Sequence, residues 1–233
     1  MYDLFMKNVG IIGASGFTGA ELMRLCAGHP DLTVTVAAAD SMAGTSVADL
    51  YPSLAAHYGT MTYAPTDPAL FADCDVVFLG LPHGASQALV PQLRSLKIPL
   101  IDLGADYRLT DPALYPQWYG EAHANPELLA QAVYGLPELF RESLKDADLI
   151  AVPGCFPTSA SLALAPFVKA GLIETNGIIV DAATGVSGAG RAAKDNTTFC
   201  AVDEDFTAYA LEGHRHTPEM EQVLATGTDQ EVS

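Results

Sequence analysis

Cys155 stands in Pro153-Gly154-Cys155-Phe156-Pro157-Thr158, between the apolar run Leu149-Ile150-Ala151-Val152 and a stretch, Ser159 to Val168, with helical spacing. A Gly-Cys junction of this kind sets a thiol beside free backbone N–H groups and the positive end of a helix dipole. Both favour the thiolate, which is the nucleophile. A strand-to-helix elbow is one recurring way to build covalent catalysis. Taken alone, these six residues fit a buried cysteine at a tight turn better. The other end of the chain changes that balance.

There, Gly13-Ala14-Ser15-Gly16-Phe17-Thr18-Gly19 follows the strand Val9-Gly10-Ile11-Ile12, opens a helix from Ala20 to Ala27 and leads to a second strand, Thr33 to Ala39. Glycines in this setting permit a tight turn, let the backbone approach a pyrophosphate and let helix and strand pack closely. The pyrophosphate then rests on the helix N-terminus. The spacing is G-x-x-G-x-x-G, a variant of the G-x-G-x-x-G turn. Gly13, Ser15, Gly16, Phe17, Thr18 and Gly19 are therefore candidate cofactor contacts. Asp40 ends the second strand, where an acidic residue holds the ribose 2′-OH of NAD. Ser41 follows it and could donate to a 2′-phosphate if Asp40 turns away. His83 follows the strand Val76 to Leu81, at the carboxyl-end edge where ligands of open α/β sheets bind. Ser187-Gly188-Ala189-Gly190-Arg191 is a donor-rich loop, fit to wrap a phosphate or a nicotinamide. Arg108, Arg191 and Arg215 are local positive groups for a small anion, since a guanidinium grips carboxylate or phosphate bidentately. Arg108 or Arg215 could equally brace the fold through a carboxylate.

These groups need a scaffold, and the apolar runs supply one. Strands are expected at 9–12, 33–39, 76–79, 100–103, 149–152 and 178–180, with helices at 86–96 and 159–169. The alternation predicts an α/β fold, a mainly parallel sheet covered on both faces. A turn-rich stretch from Asp106 to Pro137 holds most of the tyrosines. The expected division is a dinucleotide-binding domain over residues 1–152 and a second domain over 153–233. A formal charge of −17 over 233 residues argues against nucleic acid. Four widely spaced cysteines without a C-x-x-C pair fit free thiols in a reducing cytoplasm better than disulfides or a zinc site. No run reaches the length of a membrane span, and Met1 to Phe5 is too short and acidic for a signal peptide.

With elbow and fingerprint on one chain, the sequence resembles the N-acetyl-gamma-glutamyl-phosphate reductases. The resemblance rests on Gly13 to Gly19, Leu81-Pro82-His83-Gly84, Asp106-Tyr107-Arg108-Leu109, Tyr134-Gly135-Leu136-Pro137-Glu138, Pro153 to Thr158, Gly185 to Arg191 and His214-Arg215-His216-Thr217-Pro218-Glu219. It implies a Rossmann-type domain followed by an α+β catalytic and dimerisation domain, NADP as cofactor, and homo-oligomers. It further implies that Cys155 attacks an acyl phosphate and that His214 acts as acid/base, with Arg108, Arg191, Arg215 and His216 toward the substrate. The chain departs from the family at Phe156, where a tyrosine is common. Family members also continue past Ser233, so the second domain is expected to be partial and the isolated monomer poorly active. Two other readings stay open: an aspartate-semialdehyde dehydrogenase-like reductase, and an NADP-binding protein without chemistry.

Overall fold

Short apolar runs cannot leave their backbone N–H and C=O groups unpaired once buried, and here six of them pair side by side. The computed structural model describes residues 6–233, so the reading of Met1 to Phe5 falls outside the described residues. The strands are β1 (Lys7–Ile12), β2 (Leu32–Ala38), β3 (Val76–Leu79), β4 (Leu100–Asp102), β5 (Val133–Tyr134) and β6 (Leu149–Ala151). They form one sheet in the order β2-β1-β3-β4-β6-β5, every neighbouring pair parallel. Parallel strands need crossovers, and the longer helices are α1 (Phe17–Ala27), α2 (Ala85–Leu93), α3 (Pro137–Leu144), α4 (Cys155–Lys169) and α5 (Thr217–Ala225).

Each face of the sheet buries its own core, as the period-two alternation of a strand requires. Val9, Ile11, Val34 and Ala37 pack against Met23 and Cys26 of α1 and against Tyr58 and Tyr63. Ile12, Val77, Leu79, Leu100 and Leu149 pack against Val90 and Leu93 of α2 and against Tyr107, Leu109 and Tyr115. The turn-rich stretch is thus part of the core, with Tyr107 and Tyr115 buried.

Two elements differ from the sequence reading. Ile178 to Val180 has the β-branched composition of a strand but forms none: Ile179 is 91% exposed. Its backbone meets another segment at the margin, where the Ile178 N–H donates to the Ser233 carbonyl; the Ser233 N–H donates to that of Thr175 just before it. Composition favours a strand only where a neighbour supplies the ladder. Conversely, β5 is a two-residue edge strand hidden among turn residues, too short for alternation to reveal.

The chain leaves β1 toward β2 on one side and β3 toward β4 on the other, which opens a crevice at the carboxyl ends of β1 and β3. Gly13 turns there with φ +77°, and a Cβ at this position would stand 2.2 Å from the Gly80 carbonyl oxygen beyond β3. Next door, β4 ends in buried acids. Asp106 accepts the N–H groups of Gly84 (2.7 Å), Ser86 (2.9 Å) and Gln87 (3.3 Å), capping α2 where glycine offers no side chain. Asp102 Oδ1 accepts from Ser86 Oγ (2.8 Å) and the Gly104 N–H (3.0 Å), while Oδ2 is buried without a partner. Burial pushes the Asp102 carboxyl up to about 6, against the pull of those two hydrogen bonds.

Gly13→Ala is expected to cost about 1–3 kcal/mol for the left-handed backbone alone, with the collision at Gly80 added. Gly44→Ala, at φ +85° with nothing within 4 Å, isolates the first term. Equal losses of the two variants in denaturant unfolding would rule out the close approach. For Asp102, the native state keeps a proton that the unfolded chain has released between the ordinary carboxyl value and about 6. Its contribution is complete at low pH and is lost as pH rises through about 6. Asp102→Asn should therefore gain on the parent between about pH 4 and pH 7, by at most about 3 kcal/mol. A pH-independent difference in urea midpoints would contradict this.

Candidate active site

The helix that follows the thiol starts earlier than its sequence suggested and takes the thiol in as its first residue. The helix begins at Cys155, four residues before Ser159, with Gly154 as its N-cap in extended geometry (φ −66°, ψ 163°). The first intrahelical bond runs from the Thr158 N–H to the Gly154 carbonyl. Pro157 has no N–H and no side chain caps the end, so the N–H groups of Cys155 and Phe156 remain for a ligand. Cys155 is exposed, as is Cys200, whereas Cys26 and Cys74 are buried core residues.

A wall of rings from the far end of the chain stands over this elbow. Phe156 meets His214 edge-on at 5.3 Å, His216 at 5.9 Å and Tyr209 at 6.4 Å between centroids. His214 and His216 lie 4.7 Å apart. His216 is buried against Gly154, where a Cβ would come within 2.5 Å of its Nε2. Burial, and then the charges of Arg108, His214 and Arg215, push its pKa down to about 3, so the ring is neutral. His214 is half-buried, and burial and Arg215 lower its pKa as well. Its Nδ1 accepts the His216 N–H at 3.1 Å, which puts the proton of the neutral ring on Nε2. Of the two histidines, His214 is the more accessible one, and His216 is buried against Gly154 of the elbow. Tyr209, which the sequence reading passed over, brings a phenol close enough to feel the Cys155 charge, after burial the second cause raising its pKa.

The arginines separate into three roles. Arg108, expected at the substrate, is buried: Nε donates to the Val152 carbonyl (2.8 Å), Nη2 to that of Leu103 (2.9 Å), and Nη1 lies 3.6 Å from Glu219 Oε2. It ties the end of β4 to the end of β6, the bracing alternative of the two. Arg215 is exposed between the histidines and makes no ion pair among the described residues, free to meet an anion. Arg191 is exposed, and its charge opposes the burial that raises the pKa of Tyr51 and of Tyr63. Tyr51 in turn donates to the Ser15 carbonyl of the glycine turn (2.8 Å). Ser187 and Gly188 lie exposed on that loop.

At the turn itself, α1 starts after Gly16, again with no side-chain cap, and presents Phe17, Thr18 and Gly19 in its first turn. A glycine cradle plus an uncapped helix end fits a dinucleotide pyrophosphate. Asp40 Oδ1 accepts the Thr66 N–H at 2.6 Å, turning that oxygen toward the chain, and Ser41 is exposed beside it. His83 Nδ1 lies 2.5 Å from Asp106 Oδ1, its ring stacked 4.3 Å from Tyr119, with Nε2 buried and unpartnered. Among the described residues no group of three or more His, Cys, Asp or Glu side chains is arranged for a metal, and no helix is long and apolar enough to cross a membrane.

Comparison with known proteins agrees with this geometry. The family model described as semialdehyde dehydrogenase, NAD binding domain, matches residues 8–147, and the one described as semialdehyde dehydrogenase, dimerisation domain, matches 155–233. The chain is 47% identical over 227 residues to the N-acetyl-gamma-glutamyl-phosphate reductase of Azotobacter vinelandii, and 48% identical over 226 to that of Pseudomonas aeruginosa. These alignments cover 97% and 96% of the chain but 66% of each relative, so the chain spans just under two thirds of their length. Among solved structures, aspartate semialdehyde dehydrogenase from Candida albicans with NADP superposes at TM-score 0.62, with 15% identity over 98% of this chain and 65% of that one. The enzyme from Francisella tularensis gives 0.57, with 14% identity over 98% and 70%. At such identity the likeness is one of fold, while the matched domain model covers more than half of the chain. The chain belongs to the semialdehyde dehydrogenase family.

Proposed function

We propose that this chain carries the nucleotide site and reactive thiol of an N-acetyl-gamma-glutamyl-phosphate reductase, forming N-acetylglutamate 5-semialdehyde and phosphate with NADPH as reductant. The observation that carries the reading is Cys155, exposed as the first residue of an uncapped helix and walled by His214. Nearly half-identical relatives that bear this name favour the acetylated substrate over an aspartyl one.

The Cys155 thiolate attacks the acyl-phosphate carbonyl, the carbon–oxygen bond to phosphate breaks, and a thioester remains on the protein. The Cys155 and Phe156 N–H groups point to where the carbonyl oxygen gathers charge. Arg215 meets the departing phosphate or the substrate carboxylate. The Gly13–Gly19 turn would hold the cofactor by its pyrophosphate, and NADPH so bound would supply the hydride that the thioester carbonyl accepts. His214 is the acid/base: its Nε2–H hydrogen-bonds the oxyanion of the thiohemiacetal, and a proton taken up at Nδ1, which releases the His216 N–H, lets Nε2 give its proton to that oxygen and take it back as the species collapses to aldehyde and thiolate. Ser41 and Arg191 suit the additional phosphate of NADP, with Asp40 drawn to Thr66. A division into domains near Pro153 follows from this assignment, nucleotide site before and thiol after. Phe199, Phe206 and Leu211, 75–84% exposed within the segment matched as a dimerisation domain, support a homo-oligomer. A cytoplasmic location suits the exposed, reduced thiol.

The test is the reverse reaction: phosphate-dependent reduction of NADP with N-acetylglutamate semialdehyde, compared with aspartate semialdehyde. Preference for the aspartyl substrate would overturn the assignment. Cys155→Ser should abolish turnover while cofactor binding, read by fluorescence titration, persists, because a serine hydroxyl here is too weak an acid to attack unaided. His214→Asn should lower turnover by roughly a hundredfold and leave thiol alkylation nearly intact. If His216→Asn shows that profile instead, the two rings exchange roles.

A further inference from the structure

Glu219 is fully buried, at the third position of α5, and nothing in the chemistry above uses it. A glutamate at that position ordinarily folds back onto the N-cap N–H of its own helix. Here the N-cap is His216, and its N–H is already taken by His214 Nδ1. The carboxylate is thereby released to reach across to another helix. Its Oε1 accepts the Gly154 N–H at 2.9 Å and the Tyr134 hydroxyl at 2.7 Å. Oε2 lies 3.6 Å from Arg108 Nη1, beyond hydrogen-bond distance, and has no other partner.

That asymmetry says what the carboxylate is placed for. Were Glu219 there to neutralise Arg108, the pair would close to a bidentate or at least hydrogen-bonded contact. Instead Oε1 takes both short bonds and Oε2 goes without. One of those bonds is to the peptide N–H immediately preceding Cys155. On the same turn of α5, the His216 ring fills the space where Gly154 would carry a Cβ. Ring and carboxylate, three residues apart and so on one helix face, clamp Gly154 from two sides.

We infer that Glu219 is a positioning residue for the nucleophile: through the Gly154 N–H it fixes the peptide that aims Cys155 and the open N–H groups of α4. The inference rests on Cys155 being the nucleophile proposed above. It acts by hydrogen bonding and reach, and Arg108, Tyr134, His216 and Tyr119 are the polar side chains around it. Tyr134 serves the same end, holding Oε1 from β5.

The two conservative variants separate reach from charge. Glu219→Gln keeps an oxygen at the same distance and loses the charge; Glu219→Asp keeps the charge and withdraws the oxygen. The readout is the rate of iodoacetamide alkylation at Cys155, in a Cys200→Ser background, with cofactor binding as the check on folding. Gln is expected to alkylate close to the parent rate, and Asp to fall about tenfold or more as the elbow loses its aim. An Asp variant at the parent rate, or a Gln variant as slow as Asp, would overturn the inference. If the Asp variant fails the folding check, Tyr134→Phe takes its place: a measurable slowing supports the clamp and an unchanged rate refutes it. A parent Cys155 no faster than Cys200 would sink the nucleophile reading itself, and this inference with it.

Discussion

A helix that begins at glycine begins without a cap, and its first N–H groups must find acceptors elsewhere. Three helices of this fold start that way at the carboxyl edge of the sheet: α1 after Gly16, α2 after Gly84 and α4 after Gly154. The chain fills only one of these ends. Asp106 reaches up from beyond β4 to take three N–H groups of α2. The other two ends stay open, one beside the glycine turn and one beneath the thiol. Positive helix termini without internal partners are anion sites by construction. A pyrophosphate and an oxyanion are what the proposed reaction would bring to them. The fold thus separates its structural helix end from its functional ones by supplying or withholding a single aspartate.

The price of that edge is a set of buried polar groups. Asp102, Asp106, Arg108 and Glu219 are all shielded from water, and each is held by at least one backbone group. This arrangement has a physical logic. A buried ion pair rarely repays its desolvation, whereas a buried group fastened to peptide N–H or C=O fixes the main chain itself. Arg108 fastens Val152 to Leu103, and Glu219 fastens Gly154. Between them they hold both flanks of the segment leading from β6 to the nucleophile.

How much of this was legible in the sequence depends on the range of the interaction. The glycine turn, the elbow at Cys155 and the alternation of strands with helices are local patterns, and the structure places them where spacing put them. Five features were not local. β5 is two residues of edge strand whose identity comes only from its partner β6. Ile178 to Val180 carries strand composition with no ladder to join. Arg108 reads equally well as ligand or brace until its burial is known. Glu219 was visible as the end of a quoted motif, yet its role depends on His214 occupying the N-cap N–H, a relation no spacing rule expresses. Tyr209 belongs with these: only the folded wall brings its hydroxyl near the thiol, on the side where Phe156 lacks one.

The charge of the molecule sharpens the point about local control. At a formal −17 the chain repels, at long range, the anionic ligands proposed for it. Beyond about 8 Å, physiological salt screens most of that repulsion. What a ligand meets within this distance is another field: two open helix ends, Arg215 between the histidines and the exposed Arg191. Neither histidine adds to it, since burial holds His216 neutral and also lowers the pKa of His214. A neutral His214 whose Nδ1 is tied down offers its Nε2–H as a fixed donor, and it does so without adding a charge that would hold product phosphate in place. Anion capture and the answer to the oxyanion are therefore assigned to different groups: arginines and backbone N–H for the first, the Nε2–H of an imidazole that is neutral at rest for the second.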